Sequence, residues 1–157
     1  MTYTFTVWGE PRTKNARKAF LVRGPGGQAT ARVAETAESR EREAAFAVAA
    51  QQHAPPEIIE GPVEVNLRFV FRVPDGWPKW RRAAALDGSM PHYQRPDREN
   101  LMKLVHDAMT GSWWADDAQI VSGSAEKAWG ERACTVVTVT ALPTVRTAAE
   151  WKARSAT

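Results

Sequence analysis

Alternating apolar residues mark the clearest predicted element of the chain, a strand over residues 63–73. Most positions between them are polar, and only Val70 breaks the pattern. A period of two is typical of a strand with one buried face, so we expect this strand to lie in an antiparallel sheet. The six alternating residues are Val63, Val65, Leu67, Phe69, Phe71 and Val73.

Four other segments are rich in β-forming residues and predict further strands. A glycine-rich turn at residues 23–27 follows the second of them. The four segments cover residues 3–8, 19–22, 119–129 and 133–142.

The longest predicted helix covers residues 31–53, an Ala- and Glu-rich segment without Gly or Pro. Pro55 and Pro56 then end it, because proline disfavours helix continuation. The apolar stripe of this predicted helix runs through Val33, Ala37, Ala44 and Val48.

A second helix is predicted over residues 97–109, where apolar residues recur at i, i+3, i+4 and i+7. Asp97 suits its N-terminal cap, and Thr110 with Gly111 suits its end. Its apolar face consists of Leu101, Leu104, Val105 and Ala108.

A Pro- and Gly-rich segment at residues 74–96 separates the central strand from the second helix. It is long for a structureless loop, which favours a functional role, and its Arg-Ala-Ala-Ala-Leu run predicts a short helix. We therefore expect an α+β fold in which two main helices pack on a small, mostly antiparallel sheet. The expected domain covers residues 1–143, and a polar tail over 144–157 holds a short helix at 147–154.

The composition excludes several classes of protein. The chain has 157 residues, enough for one domain and too few for an enzyme with a separate cofactor domain. Its single cysteine, Cys134, excludes an internal disulfide framework and is expected to be a small buried side chain. No apolar run approaches the length of a membrane span, and the N-terminus does not resemble a signal peptide. We expect a reduced, cytoplasmic protein that does not engage a membrane.

Acidic residues concentrate between residues 95 and 121. Glu99, Lys103 and Asp107 are four apart and share one face of the second predicted helix. Carboxylates in such a cluster can hold Mg²⁺, which takes oxygen ligands and often binds phosphate as well. Helix capping, an ordinary Glu–Lys ion pair and a solvated turn explain the same spacing without any metal. The acids are Asp97, Glu99, Asp107, Asp116 and Asp117.

The segments RPDRENLMKLVHDAMTG and SWWADDAQIV, together residues 95–121, resemble the signature of the RusA family of Holliday junction resolvases. That signature is approximately [KR]-P-D-x-D-N-L-x-K-x-x-x-D-A-L-x-G, a short gap, and W-x-D-D-x-Q-[IV]. Three other blocks resemble the family more weakly, and together they extend the resemblance over most of the chain. These blocks are TFTVWGEPRTKNARKAF, GPVEVNLRFVFRVP and SAEKAWG.

The resemblance implies a homodimeric endonuclease that uses Mg²⁺, with Mn²⁺ as an alternative ion, and nicks two opposing strands of a four-way DNA junction symmetrically. It implies origin in a bacterium or a phage. Asp97, Glu99 and Asp117 match the metal-binding acids, and Lys103 matches the catalytic lysine. Three further motif positions match without a definite role: Asp116, Asn100 and Asp107.

Glu99 departs from the family pattern, which usually has Asp at this position. The substitution keeps the carboxylate but moves it by one methylene group. Two alternatives to the nuclease stay open, and the Glu99 substitution motivates the first of them. One is a non-catalytic protein that binds branched DNA on the same scaffold, and the other is a carboxylate-based hydrolase of small molecules.

Basic residues flank the acidic cluster in two places. Residues 11–18 and 79–82 hold seven bases and no acid, which suits salt-dependent contact with DNA phosphates. Solvated loops, with Trp77 and Trp80 packed beneath one of them, would give the same pattern. The predicted DNA-binding residues are Arg12, Lys14, Arg17, Lys18, Lys79, Arg81 and Arg82.

The remaining candidates are expected to be structural. Trp113 and Trp114 are expected in the core or a dimer interface rather than as wedges in DNA. The histidines lack zinc-ligand spacing, so we expect no catalytic role for them. Lys127 is expected to point towards the acids. The histidines are His53, His92 and His106.

Overall fold

Strand β4 (Val63–Arg72) is the centre of the main sheet. The computed structural model describes residues 1–14 and 17–156, and the side chains of all of these except 17–20 and 32–35. The fold is α+β with mostly antiparallel strand pairs, as predicted. The other elements are β1 (Thr2–Trp8), β2 (Arg17–Arg23), β3 (Ala29–Glu35), α1 (Ala37–Gln51), α2 (Lys79–Asp87), α3 (Arg98–Met109), β5 (Ile120–Ser122), β6 (Ala125–Gly130), β7 (Cys134–Ala141) and α4 (Ala148–Ser155).

The alternating residues of β4 form the sheet side of the hydrophobic core, as their period predicts. All six, including Val73 just beyond the strand, are at most 4% exposed. β4 pairs antiparallel with β7, which pairs antiparallel with β1. Its other edge pairs in parallel with β5 and β6. That parallel edge arises because the chain crosses over through α2 and α3 before it returns to the sheet.

The predicted strand over residues 119–129 is two short strands, because the chain breaks at Gly123 and Ser124. Gly123 has φ +147°, and a Cβ there would lie 1.9 Å from the Val65 carbonyl oxygen. Only glycine permits this close approach. The side-chain oxygen Oδ1 of Asn66 accepts hydrogen bonds from the backbone N–H and the hydroxyl of Ser124, both at 2.9 Å. The interruption is therefore a fixed feature of the sheet edge.

The predicted helix over residues 31–53 is wrong in its first turns. Residues 29–35 instead form β3, which pairs antiparallel with β2 in a separate hairpin. Helix α1 begins only after Thr36, whose hydroxyl caps it by accepting from the Ser39 backbone at 3.3 Å. The predicted apolar stripe is also wrong, because Ala37, Ala44 and Val48 are exposed. α1 instead buries Ser39 and Ala50 and half-buries Phe46.

Helix α3 packs its predicted apolar face into the core. Leu101, Leu104, Val105 and Ala108 are at most 6% exposed. Trp113 and Trp114 follow the helix and are fully buried, so they are core residues. Cys134 is buried too, as predicted.

Two predicted short helices are present. The Arg-Ala-Ala-Ala-Leu run lies in α2, and the tail forms α4 with a capping box between Thr147 and Glu150. None of the helices in residues 1–14 and 17–156 is long and apolar enough to cross a lipid bilayer.

Candidate active site

The first turn of α3 is built around Asp97, its N-terminal cap. One carboxylate oxygen of Asp97 accepts from the Asn100 backbone at 2.8 Å, and the other accepts from the Asn100 side-chain amide at 3.1 Å. Lys127 holds the segment before the helix, because its ammonium donates to the carbonyls of Gln94 at 2.6 Å and Pro96 at 3.0 Å. The sequence predicts that Lys127 points towards the acids. In the structure its ammonium instead donates to backbone carbonyls beside Asp97.

Asp116 and Asp117 have different surroundings although they are neighbours. Asp116 caps a turn of 3-10 helix at Asp117–Gln119, where its carboxylate accepts from the Ala118 backbone at 2.8 Å. Gln119 ties this turn to the carbonyls of Ile59 and Gly61. Asp117 is exposed, and its carboxylate forms no hydrogen bond or ion pair with any residue that the structure describes, although its backbone carbonyl accepts from the Ile120 N–H. Its carboxylate is therefore available to a ligand.

Glu99, Lys103, Asp107 and Asp117 line one open cavity of about 330 Å³. The first three share a face of α3, as their spacing predicts, and the 3-10 turn brings Asp117 to them. Glu99 and Lys103 are spaced for an i, i+4 ion pair, but their charged atoms do not come within 4.0 Å of each other in the described helix. Three carboxylates and the Lys103 ammonium group thus line the same space; Asp107 is paired with Lys14, whereas Glu99 and Asp117 form no ion pair with a described residue.

Asp97 lines a second cavity, together with Thr13, Arg95, Pro96 and Asn100. The structure therefore brings Glu99 and Asp117 together with Lys103 but does not place Asp97 in the same cavity. Among the described residues, no three His, Cys, Asp or Glu side chains are close enough to hold a metal ion as a set.

The donor set of the first cavity nevertheless fits Mg²⁺. This ion commonly binds to one or two carboxylates and completes its shell with waters and substrate phosphates. Glu99 and Asp117 supply two carboxylates at an open site, and neither is consumed by an internal ion pair in the described residues. Asp97 remains a predicted third ligand.

His106 also lines this cavity. Its burial lowers the pKa of the imidazole below its ordinary value, although Asp107 and Asp117 oppose that shift, so these surroundings favour the neutral ring. Its Nε2 is buried and has no hydrogen-bond partner among the described residues. A structural or surface role is expected for His106 from its sequence, but its position seven residues after Glu99 places it on the same face of α3.

Lys14 connects the N-terminal loop to the helices behind the cavity. Its ammonium forms ion pairs with Asp107 on α3 and with Glu43 on α1, the latter at 2.9 Å. Its carbonyl accepts from the Ser39 hydroxyl at 2.6 Å. Burial opposes the shift, but both carboxylates together raise the pKa of Lys14 above its ordinary value. A side chain predicted to contact DNA is therefore engaged inside the protein.

Replacing Lys14 with Met should lower the free energy of unfolding by about 1–3 kcal/mol, because it leaves two partly buried carboxylates without their shared cation. Urea denaturation at pH 7 measures this effect. Lys152→Met, an exposed substitution on α4, is the matched control and should change stability by no more than about 0.5 kcal/mol. Equal midpoints for the two variants would contradict the anchoring role.

The remaining predicted DNA-binding residues are mostly at the surface. The Arg81 guanidinium lies 3.8 Å from the Trp77 ring centroid, and Trp77 packs edge-on against Trp129. Trp77 is therefore packed beneath α2, whereas Trp80 is 70% exposed. Arg12, Lys79 and Arg82 are exposed, and the side chains of Arg17 and Lys18 lie outside the described residues.

Comparison with known proteins identifies the family of the chain. The family model for endodeoxyribonuclease RusA matches residues 9–140, which is most of the chain and includes both acidic segments. The chain therefore belongs to the RusA endodeoxyribonuclease family. This is a family of DNA-cutting nucleases that act on branched junctions. An uncharacterized protein of Bacillus subtilis (strain 168), YqaN, is 28% identical over 129 residues, covering 81% of this chain and 87% of YqaN.

Proposed function

We propose that this chain is a Mg²⁺-dependent endonuclease that resolves four-way DNA junctions by paired, symmetric nicks. The observation that carries the proposal is the cavity in which Glu99, Asp117 and Lys103 face one open space. Its carboxylates suit a hard cation and its ammonium suits a phosphate, which are the two requirements of metal-assisted phosphodiester hydrolysis.

Glu99 and Asp117, with Asp97 as the predicted third ligand, would hold the ion. When bound, Mg²⁺ supplies charge neutralisation at the phosphate and activation of a water molecule. Lys103 extends from the same face of α3 and would stabilise the negative charge that develops on the scissile phosphate. Asp116 keeps the 3-10 turn in shape and thereby positions Asp117.

Symmetric resolution requires two active sites, and each chain would contribute the acidic cavity described above. A four-way junction has two-fold symmetry, so a C₂ homodimer would present two equivalent sites to two opposing strands. Exposed basic side chains, among them Arg12, Lys79 and Arg82, would contact the phosphates of the junction arms. Binding should then weaken steeply with salt. We place this activity in DNA recombination and repair in the cytoplasm of a bacterial or phage-infected cell.

The Glu99→Asp variant separates this nuclease from a non-catalytic junction-binding protein. If the extra methylene group only shifts the ligand oxygens, we expect wild type to cut and the variant to cut at a rate within about tenfold of it, since the charge and donor type are kept. Cleavage of a labelled synthetic junction in Mg²⁺ and in Mn²⁺ measures the rates.

Glu99→Gln is the matched control, because it keeps the length of the side chain but removes its charge, and it should be inactive. Tight binding by all three proteins with no cleavage in either metal would instead favour the non-catalytic alternative. Absence of any salt-dependent DNA binding would favour the small-molecule hydrolase.

A further inference from the structure

A third cavity, of about 390 Å³, lies beside the predicted active site and is walled by aromatic rings. The His92 ring is 6% exposed and stacks on Phe71, with centroids 4.1 Å apart and planes 27° from parallel. The Trp129 ring packs against His92 with centroids 4.3 Å apart. We call this cavity the aromatic recess. Its three aromatic side chains, Phe71, His92 and Trp129, come from three separate segments of the chain.

The aromatic recess is edged by positive charge. Four arginines line it, against Glu10 as its acidic residue. Two of the four, Arg12 and Arg95, form no ion pair within 4.0 Å with any described residue. The other two are partly neutralised, because Arg72 pairs with Asp75 at 3.0 Å and Arg42 lies 3.9 Å from Glu38.

The aromatic recess adjoins the cavity at the N-terminus of α3, because the two share part of their lining. Thr13, Arg95 and Pro96 line both it and the cavity that contains Asp97. Lys127 fixes this shared wall by its hydrogen bonds to the carbonyls of Gln94 and Pro96. A ligand in the recess would therefore lie next to a predicted metal ligand.

We propose that the aromatic recess binds one unstacked nucleotide of a DNA strand, with its base against the half-buried ring of Trp129, which the buried Phe71–His92 stack supports from behind, and its phosphate at Arg12 and Arg95. The volume is within the range of pockets that hold small ligands. Aromatic faces with flanking cations are the features that bind unpaired bases without sequence readout.

This inference rests on the proposed function and adds a source of selectivity to it. A base inside a continuous duplex is paired and stacked, so it cannot reach the recess without unstacking. A nucleotide at a branch point is already strained or unpaired, so less free energy is needed to place it there. The recess would thus favour DNA strands whose base pairing and stacking are interrupted near the cleavage site.

Titration with thymidine 3′,5′-bisphosphate, in EDTA, tests the inference without requiring cleavage. We expect saturable shifts of the Trp129 indole N–H and the His92 ring signals in NMR spectra of labelled protein. Inorganic phosphate and deoxyribose 5-phosphate at the same concentrations should not reproduce them. Arg95→Gln, at an exposed position, should weaken binding about tenfold, whereas Arg146→Gln, an exposed arginine outside the recess, should not change it.

Trp129→Leu should also weaken binding about tenfold, the scale expected for loss of a base–aromatic stack. No saturable shifts, or identical shifts with inorganic phosphate, would overturn the inference. Cleavage of a four-way junction by the same preparations keeps the two proposals apart. A protein that cuts the junction but does not bind the bisphosphate disproves only the recess, and one that binds the bisphosphate but never cuts disproves only the nuclease.

Discussion

Replacing Asp117 with Asn should reduce Mg²⁺-dependent cleavage of a four-way junction by at least about 10²–10³-fold, the scale of losing one electrostatic contact to a reacting phosphate. Asp117 is exposed and its carboxylate forms no hydrogen bond or ion pair with the described residues, so the substitution should leave the fold unchanged. Single-turnover cleavage measures the rate, and a gel-shift titration in Ca²⁺ measures junction binding. Binding should stay within about threefold, because the change removes one acid and no base.

Asp116→Asn is the matched control for this experiment. Asn caps helical turns about as well as Asp, so the backbone of the 3-10 turn and the position of Asp117 should be kept. We expect cleavage within about tenfold of wild type. Paired nicks that persist in Asp117→Asn, or equal losses in the two variants, would refute the assignment of Asp117 as a metal ligand.

Replacing Trp113 with Ala should lower the free energy of unfolding by about 3–5 kcal/mol. Trp113 is fully buried, stacks on Phe5 with ring centroids 5.1 Å apart, and contacts Tyr3 edge-on. Its indole N–H donates to the Ala50 carbonyl at 3.1 Å and so joins α1 to the sheet. A loss of this size is a large part of the total stability of a typical domain.

Urea denaturation measures the loss, and Trp151→Ala provides the control. Trp151 is 60% exposed on α4, so its removal should change stability by no more than about 0.5 kcal/mol. Trp113→Phe should be intermediate, because it keeps a stacked ring but leaves the Ala50 carbonyl without its donor. Similar midpoints for Trp113→Ala and Trp151→Ala would show that Trp113 does not organise the core.

The elements that the sequence predicted well are those whose pattern is local and strong. Alternation along β4 and the helical period of α3 both identify buried faces, because one element contributes the whole signal. The first turns of the 31–53 helix were predicted wrongly, since an absence of Gly and Pro does not distinguish a helix from β3. The pairing of β3 with β2 across the turn decides that segment.

In the candidate site, too, the sequence predicts what a local pattern determines but not what long-range packing determines. Spacing alone places Glu99, Lys103 and Asp107 on one face of α3, whereas the position of Asp117 depends on how the 3-10 turn packs against Ile59 and Gly61. The ion pair between Lys14 and Asp107 also joins residues that are distant in sequence. The sequence alone therefore could not distinguish a lysine that pairs inside the protein from one that contacts a phosphate. The aromatic recess was not predicted because its three rings come from segments that no single motif connects.

Incubation of the purified protein with a supercoiled plasmid that extrudes a cruciform tests the proposed nuclease most directly. Two nicks made in opposing strands within one complex convert the plasmid to linear DNA, whereas independent single nicks give open circles first. We expect linear product in Mg²⁺, none in EDTA, and none from the same plasmid without the cruciform. A plasmid that stays supercoiled in both Mg²⁺ and Mn²⁺, or is cut equally without the cruciform, would contradict the account.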